Sequence, residues 1–441
     1  MPDGTAPEEV RRGDPPADTI FAPATPPGRS GIAVIRLSGP RAREAVEALA
    51  GGPLPVHGRA LRILRDETGE PLDEALILTF AEGRSFTGEE TAEIQGHGSP
   101  AAVAAILGAL GRQRGLRLAA PGEFAQRALA HGRLDLARIE GLSALLEAET
   151  EAQRRQAMRV FQGALGKRAE DWRERLLQAA ALTEAMIDFA EEDIPEALPE
   201  IARLCGEIAG ELEAEARGAR LAERLREGFE VAIVGPPNAG KSTLLNRLAG
   251  REAALVSDVA GTTRDVIELR MVLDGMPVTL LDTAGLRETA DSVERMGGER
   301  ARARAAAADL RVHLVLPDGP RPAEGPDDIV LRAQADRLAG EGPGISGLTG
   351  EGVEALVAEI ARRLSARTAA LGAGLTARHA HAMAEGAAAL REAEALARAG
   401  AAPELAGEAL RRALAALDAL VGRVGTEDIL GAIFQRFCIG K

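Results

Sequence analysis

Along the chain the apolar residues change their period several times. Between residues 19 and 118 short alternating runs mix with helical spacing. Residues 32–37 and 75–80 read as strands and residues 101–110 as a helix, with Pro and Gly punctuating them. From about residue 134 to residue 226 the spacing is that of long helices, with Ile201, Leu204, Ile208 and Leu212 on one stripe. At Glu230 the pattern switches abruptly to short strands and Gly-rich turns. After about Arg367 it returns to helix, where Leu410, Leu414, Leu417, Val421 and Val424 form a second stripe. Each stripe reads as a face packed into a core rather than as a ligand surface. Residues 1–17, rich in Pro, Gly and Asp, are expected to be disordered.

Two helical stretches around a compact α/β unit suggest an insertion, because the ends of an inserted domain commonly lie close together. The expected architecture is multidomain α/β. A tail at 1–17 is followed by an α+β domain at 18–133, a helical domain at 134–227 and 365–441, and a P-loop, Ras-like domain inserted at 228–364.

Composition sharpens this picture. A length of 441 residues suits about three domains. Hydrophobic residues make up 46% but aromatics only 2%, with no Tyr and one Trp, so the core must be aliphatic and Ala-rich, which suits helices. A net charge of −14 argues against general polyanion binding, which needs clustered basic groups, though not against one local basic face. Cys205 and Cys438 make neither a disulfide framework nor a zinc cluster. With no signal peptide and no apolar run of 18 residues, a cytosolic protein without a membrane span is expected. The chain has 50 Arg but three Lys, at 167, 241 and 441, so a lysine that persists marks a position where an ammonium group is required.

Lys241 sits in the clearest motif. An apolar strand at 231–234 runs into Gly235-Pro-Pro-Asn-Ala-Gly-Lys-Ser242, the phosphate-binding loop in its strand–loop–helix context. Its glycines let backbone N–H groups curl around phosphate oxygens; Lys241 reaches the β- and γ-phosphates, and the Ser242 hydroxyl binds Mg²⁺. Asn238, Ala239, Gly240 and Thr243 complete the loop's nucleotide contacts. Gly261-Thr262-Thr263-Arg-Asp265 lies in a polar loop placed to offer a switch threonine, Thr263, to Mg²⁺ and the γ-phosphate. Ile267, Leu269, Met271 and Leu273 alternate, Asp274-Gly275 turns, and an apolar run at 278–281 returns, which reads as a β-hairpin. It ends in Asp282-Thr283-Ala284-Gly285, where the Asp can hold Mg²⁺ through water and the Gly N–H can sense the γ-phosphate. Strand-like runs at 310–316 and 329–331 complete a parallel sheet.

Guanine selectivity is expected from an Asp after the strand at 329–331. The usual pattern is Asn-Lys-x-Asp; here it is Ala333-Gln334-Ala335-Asp336. Asp336 can accept two hydrogen bonds from the guanine edge, and Ser346-Gly347 supplies a further loop against the base. The Asn that braces the loops and the Lys that covers the base are missing, so weaker GTP binding is expected than with the full motif. Leu286 stands where many signalling GTPases carry a water-orienting Gln, so hydrolysis needs another polar group.

These motifs, with Asn238, Asp282-Thr-Ala-Gly-Leu-Arg-Glu288 and the terminal Phe437-Cys-Ile-Gly-Lys441, resemble the MnmE (TrmE) family of tRNA-modification GTPases. The resemblance extends through Ala24-Thr-Pro-Pro-Gly-Arg29, Ser85-Phe-Thr-Gly-Glu89, Gln95-Gly-His-Gly98 and Pro121-Gly-Glu-Phe124, and so covers nearly the whole chain. It implies that the N-terminal domain binds folate and forms a homodimer. It also implies a FAD-protein partner, MnmG, in a heterotetramer. Together the two would attach an aminomethyl or carboxymethylaminomethyl group to carbon 5 of the wobble uridine of certain tRNAs. The carbon would come from 5,10-methylenetetrahydrofolate or 5-formyltetrahydrofolate. Residue by residue, the resemblance implies folate contacts at Arg36, Glu93, Lys441 and Arg133, the last where the family often has Lys. It implies K⁺ ligands at Asn238, Ser257, Val259 and Thr262, with Ser257 replacing the more usual Thr. Glu294 matches the family's hydrolytic Glu, and Cys438 is placed beside the folate site. The alternative is a GTP-gated assembly factor that acts on ribosomes and does no modification chemistry. Such proteins share the nucleotide loops but typically carry a basic RNA-binding domain, and neither flank here is strongly basic.

Overall fold

The computed structural model describes residues 18–188, 197–251, 268–282, 303–317, 319, 322, 325, 327–369, 371–423 and 440. The chain divides into two compact units, one comprising residues 1–143 and 421–441, the other residues 144–420. Among the described residues no helix is long and apolar enough to cross a membrane.

The first unit is built on a six-stranded sheet with order β3-β4-β5-β2-β1-β6. Its strands are β1 (Thr19–Pro23), β2 (Ser30–Ser38), β3 (Gly58–Arg65), β4 (Pro71–Phe80), β5 (Thr91–Gly98) and β6 (Leu116–Leu118). The two strands read from the sequence are β2 and β4; the helix at 101–110 is α2 (Pro100–Gly111), after α1 (Ala42–Ala50). Period-2 alternation sends Ile35, Leu37, Ile77 and Ile94 into one core with Val46, Leu49, Ile106 and Leu110 of the two helices. A fully buried Leu or Ile side chain stabilises the fold by about 1.5–3 kcal/mol. The same alternation turns Arg36 of β2 and Glu93 of β5 to the other face, and β2–β5 register puts them directly opposite each other.

α3 (Glu123–Ala130) completes this part of the unit around a buried charge cluster. Arg127, 3% exposed, donates from Nη1 to both carboxylate oxygens of Glu89 at 3.1 and 3.2 Å and from Nη2 to Glu123 at 3.1 Å. Glu89 also accepts from Ser38 Oγ at 2.6 Å, and Ser85 Oγ donates to the Glu89 carbonyl at 2.6 Å. Burial pushes the Glu123 carboxyl up, but Arg117, the Ala120 N–H and Arg127 together outweigh it and hold the group below its usual range. The Ser85–Glu89 segment is therefore a loop folded around one buried carboxylate.

In the second unit the helical stretch resolves into α5 (Glu151–Phe161), α6 (Ala164–Asp188) and α7 (Ala197–Glu227), preceded by α4 (Leu136–Glu147), which spans residue 143. Beyond the α/β segment run α9 (Val353–Thr368), α10 (Ala377–Arg398) and α11 (Pro403–Val421). α7 and α10, one on each side of that segment in sequence, pack together: Arg391 reaches Glu213 at 2.9 Å, and Gly206 faces Glu394 closely. Cys205 lies buried here, and burial, then Glu394, pushes its thiol up to about 12, so it is an inert core residue.

The α/β segment has a sheet of order β12-β11-β10-β7-β9-β8. These are β7 (Phe229–Val234), β8 (Glu268–Leu273), β9 (Met276–Asp282), β10 (Leu310–Val315), β11 (Asp328–Ala333) and β12 (Gly344–Ile345), and α8 (Lys241–Ala249) follows β7. β8 pairs antiparallel with β9, and the remaining pairings are parallel. The hairpin turn Asp274-Gly275 has φ of 51° and 75°, the left-handed pair that a two-residue turn of matching twist requires. Val231, Ile233, Val278, Leu280, Val312 and Leu314 pack with Leu244, Leu248, Leu356 and Ile360 into its core.

Candidate functional site

The site grows from the carboxyl ends of β7, β9 and β11, the edge at which parallel α/β sheets bind ligands. β7 ends at Val234, the loop turns through Asn238 at φ 63°, and Gly240 caps α8, so that the helix N-terminus faces the loop. Ala239 is buried, anchoring the loop in the core, while Thr243 lies exposed on the first turn. Lys241 Nζ folds back to donate to the carbonyls of Gly235 at 2.7 Å and Pro236 at 2.9 Å. Burial lowers its pKa, partly offset by the Asp282 carboxylate. An ammonium held by carbonyl oxygens inside a loop of N–H groups suits an incoming phosphate oxyanion.

Asp282 ends β9, 4% exposed, opposite Ile233 in the neighbouring strand. Ser242 Oγ donates to its Oδ2 at 3.1 Å, so the foreseen ligand Ser242 lies beside the carboxylate expected to hold Mg²⁺ through water, and hard oxygen donors are what that ion takes.

The base-side loops converge on the same edge. Asp336 is exposed in the turn after β11, and Ala335 N donates to Ile345 O at 3.1 Å. Ser346 is buried, accepting at Oγ from Thr349 N at 3.2 Å. A Cβ at Gly347 would stand 2.6 Å from Leu244 N, so only glycine lets this loop lie on α8. Arg247 donates to the carbonyls of Leu348 at 3.1 Å and Thr349 at 2.9 Å.

Loss of the Asn and Lys leaves the loops braced, because Gln334 Nε2 donates to Asn238 O at 2.6 Å and Arg247 holds the loop after β12. Sequence reading gave neither residue this bracing role; for Gln334 the available signal was a long polar side chain standing in the lysine position. Ala333, where the Asn would stand, is fully buried.

On the first unit's sheet, Arg36 Nη2 pairs with Glu93 Oε1 at 2.8 Å, both side chains partly buried. The Arg36 guanidinium lies 5.7 Å from the Phe86 ring and 5.8 Å from the Phe124 ring, within cation–π range of both. The Ser85–Glu89 and Pro121–Phe124 motifs thus meet at Arg36. Arg133 is exposed after α3, its stem beside Gly88. Gly440, buried at φ 106°, lies against Pro23 and Ala24 at the end of β1. Ser257, Val259, Gly261, Thr262, Thr263, Thr283, Ala284, Gly285, Leu286, Glu294, Cys438 and Lys441 lie outside the described residues.

Two family models match the chain. The family model described as the GTP-binding protein TrmE N-terminus matches residues 19–133, and that of the MnmE helical domain matches residues 136–438. The chain belongs to the MnmE family of tRNA modification GTPases. The MnmE of Cereibacter sphaeroides (strain ATCC 17029 / ATH 2.4.9) is 56% identical over 428 residues, covering 96% of this chain and 100% of that protein. The MnmE of Ruegeria pomeroyi is 54% identical and that of Dinoroseobacter shibae 52%, each again covering 96% of this chain and all of the relative. Each of these three relatives is a tRNA modification GTPase MnmE by name. Membership in MnmE makes the chain a GTP hydrolase of tRNA modification and decides against an assembly factor without modification chemistry.

Proposed function

We propose that this tRNA modification GTPase hydrolyses GTP in a potassium-dependent manner as a homodimer. With MnmG, it would install an aminomethyl or carboxymethylaminomethyl group at carbon 5 of the tRNA wobble uridine in the cytoplasm. The observation that carries the hydrolytic half is the adjacency of Lys241, Ser242 and Asp282 at the ends of β7 and β9. Lys241 exchanges its two carbonyl partners for β- and γ-phosphate oxygens, and the loop N–H groups hold the phosphates in line. Ser242 and Thr263 would present oxygens to Mg²⁺, and Asp282 would hold that ion through water. The neutral oxygens of Asn238, Ser257, Val259 and Thr262 would hold a monovalent cation, and K⁺ there would supply positive charge where the transition state builds negative charge. Glu294 orients the attacking water, doing the work that Leu286 cannot.

The modification half is supported by the face that carries Arg36 and Glu93. A paired guanidinium and carboxylate flanked by Phe86 and Phe124 suit a flat, hydrogen-bonding heteroaromatic such as a folate pterin. Arg133 and Lys441 would add contacts to the same ligand, 5,10-methylenetetrahydrofolate or 5-formyltetrahydrofolate. Cys438, two residues before Gly440, would stand beside it.

GTP turnover in K⁺ and in Na⁺ at matched ionic strength, joined to mass spectrometry of wobble uridines in a strain lacking the chain, tests both halves. Turnover is expected to be fast in K⁺ and slow in Na⁺, and Glu294→Ala should bind GTP without turning it over. The deletion strain should lose the wobble modification and regain it with the wild-type chain. Equal rates in the two salts refute the cation, full activity of Glu294→Ala refutes the glutamate, and intact wobble uridines in the deletion strain refute the tRNA half.

A further inference from the structure

The loop after β11 lacks the asparagine that braces the loops in the usual guanine-recognition pattern, and a side chain at the lysine position does part of that work. Gln334 Nε2 donates to the main-chain oxygen of Asn238 at 2.6 Å, joining the base-side loop to the phosphate loop across 96 residues of sequence. Among the described residues three non-glycine positions have positive φ: Asn238 at 63°, Asp274 at 51° and Gln334 at 53°. Asp274 is accounted for by the β8–β9 hairpin turn. The other two are the acceptor and the donor of this one bond. Asn visits the left-handed region with help from its own short side chain, but Gln does not share that advantage. Unfavourable backbone conformations persist where their surroundings over-determine them, and they cluster at ligand clamps.

The surroundings of Gln334 do over-determine it. Its carbonyl accepts from Arg337 N and Leu338 N, both at 2.9 Å, and the next residue, Ala335, is tied to Ile345 O at 3.1 Å. Ala333, on the other side, is fully buried in the core. The loop is thus pinned before and after Gln334, and its amide is delivered to Asn238 from a fixed base. Asp336, two residues on, hangs from the same turn.

We propose that Gln334 is a positioning residue. Its neutral amide latches the phosphate loop at Asn238 in the nucleotide-binding conformation and couples that loop to guanine recognition by Asp336. The inference rests on reading this turn as the guanine-recognition loop. A latch that sets up the site before the nucleotide arrives acts on binding more than on the chemical step. Its loss therefore raises KM and Kd, chiefly by faster release, more than it lowers kcat.

The test uses the full chain with a fluorescent N-methylanthraniloyl GDP for affinity and release, its adenine counterpart for selectivity, and steady-state GTP hydrolysis. Gln334→Met keeps a stem of similar length without a donor, Gln334→Lys keeps a stem and a donor, and Gln334→Ala removes both. Gln334→Ala and Gln334→Met should weaken GDP binding and raise KM for GTP by roughly three- to tenfold, the scale of one hydrogen bond. Gln334→Lys should restore wild-type values or better them. Met as good as Gln would overturn the latch, since the stem alone would then suffice; Lys no better than Met would overturn it equally. The Met–Lys pair decides the matter even where Gln334→Ala lowers the stability of the fold. A wild-type chain that does not prefer the guanine over the adenine probe would instead refute the reading of the loop.

Discussion

At the scale of single residues, the base site illustrates how a motif can lose its letters and keep its geometry. Ala333 fills a buried position with a methyl group, Gln334 supplies a donor to the phosphate loop, and Asp336 remains as the acceptor for the guanine edge. A carboxylate accepting two bonds discriminates strongly, because the wrong base leaves a charged acceptor without donors. Asp336→Asn replaces one of its oxygens with a donor. It should weaken GTP binding by roughly a hundredfold or more, the worth of two hydrogen bonds to a charged group, and favour xanthosine nucleotides instead. Competition of GTP and XTP for the variant measures this; an unchanged preference for GTP would remove Asp336 from the site.

At the scale of elements, the start of α5 ties several pieces of the second unit together. Thr150 caps the helix and Gln153 reciprocates, its Oε1 accepting from Glu149 N at 2.9 Å and Thr150 N at 3.0 Å. Its Nε2 reaches the last carbonyls of α7, Leu225 O at 3.3 Å and Arg226 O at 2.9 Å, just before β7 begins. One residue earlier, Ala152 N donates to Gly275 O at 3.2 Å, in the turn of the hairpin that runs on to Asp282. A single side chain thus satisfies orphan groups at the beginning of one helix and the end of another. Gln153→Ala removes these bonds and should cost about 2 kcal/mol. Trp172, the sole Trp, is fully buried in α6 with its indole N–H on Glu211 at 2.8 Å, so its fluorescence reports on this unit. The denaturant midpoint it records should fall for Gln153→Ala, and an unmoved midpoint would show that the α5 cap holds nothing.

At the scale of the whole molecule, the far end of the chain belongs with its beginning. Gly440 packs on Pro23 and Ala24, and a Cβ there would collide with the Pro23 carbonyl. At φ 106° only glycine is unstrained, so Gly440→Ala opposes this docking on two counts. The variant should lose wobble-uridine modification while GTP hydrolysis persists, and Cys438→Ser should behave alike if the docked tail serves the modification chemistry. Normal modification with either variant would separate the tail from that chemistry; loss of GTP hydrolysis with both would make it a structural anchor for the whole chain.

What the sequence determined by itself was whatever the chain encodes locally. The strand–loop–helix around Gly235-Pro-Pro-Asn-Ala-Gly-Lys-Ser242 is legible because turn, phosphate contacts and helix start occupy consecutive residues, and the hairpin at Asp274-Gly275 because its turn needs those residue types. Helical stretches were legible from their period, and β2, β4, β10 and β11 from their apolar runs. β3 and β6 escaped such reading because they lie at the sheet edges and expose most of their side chains. Only the tertiary structure decided which distant residues meet. Arg36 and Glu93 pair because β2 and β5 are neighbours in one register, and Gln334 reaches Asn238 because β11 and β7 end at the same edge. Period tells which face of an element is apolar, but strand order and register follow from how all the faces pack together, and no short stretch of sequence carries that.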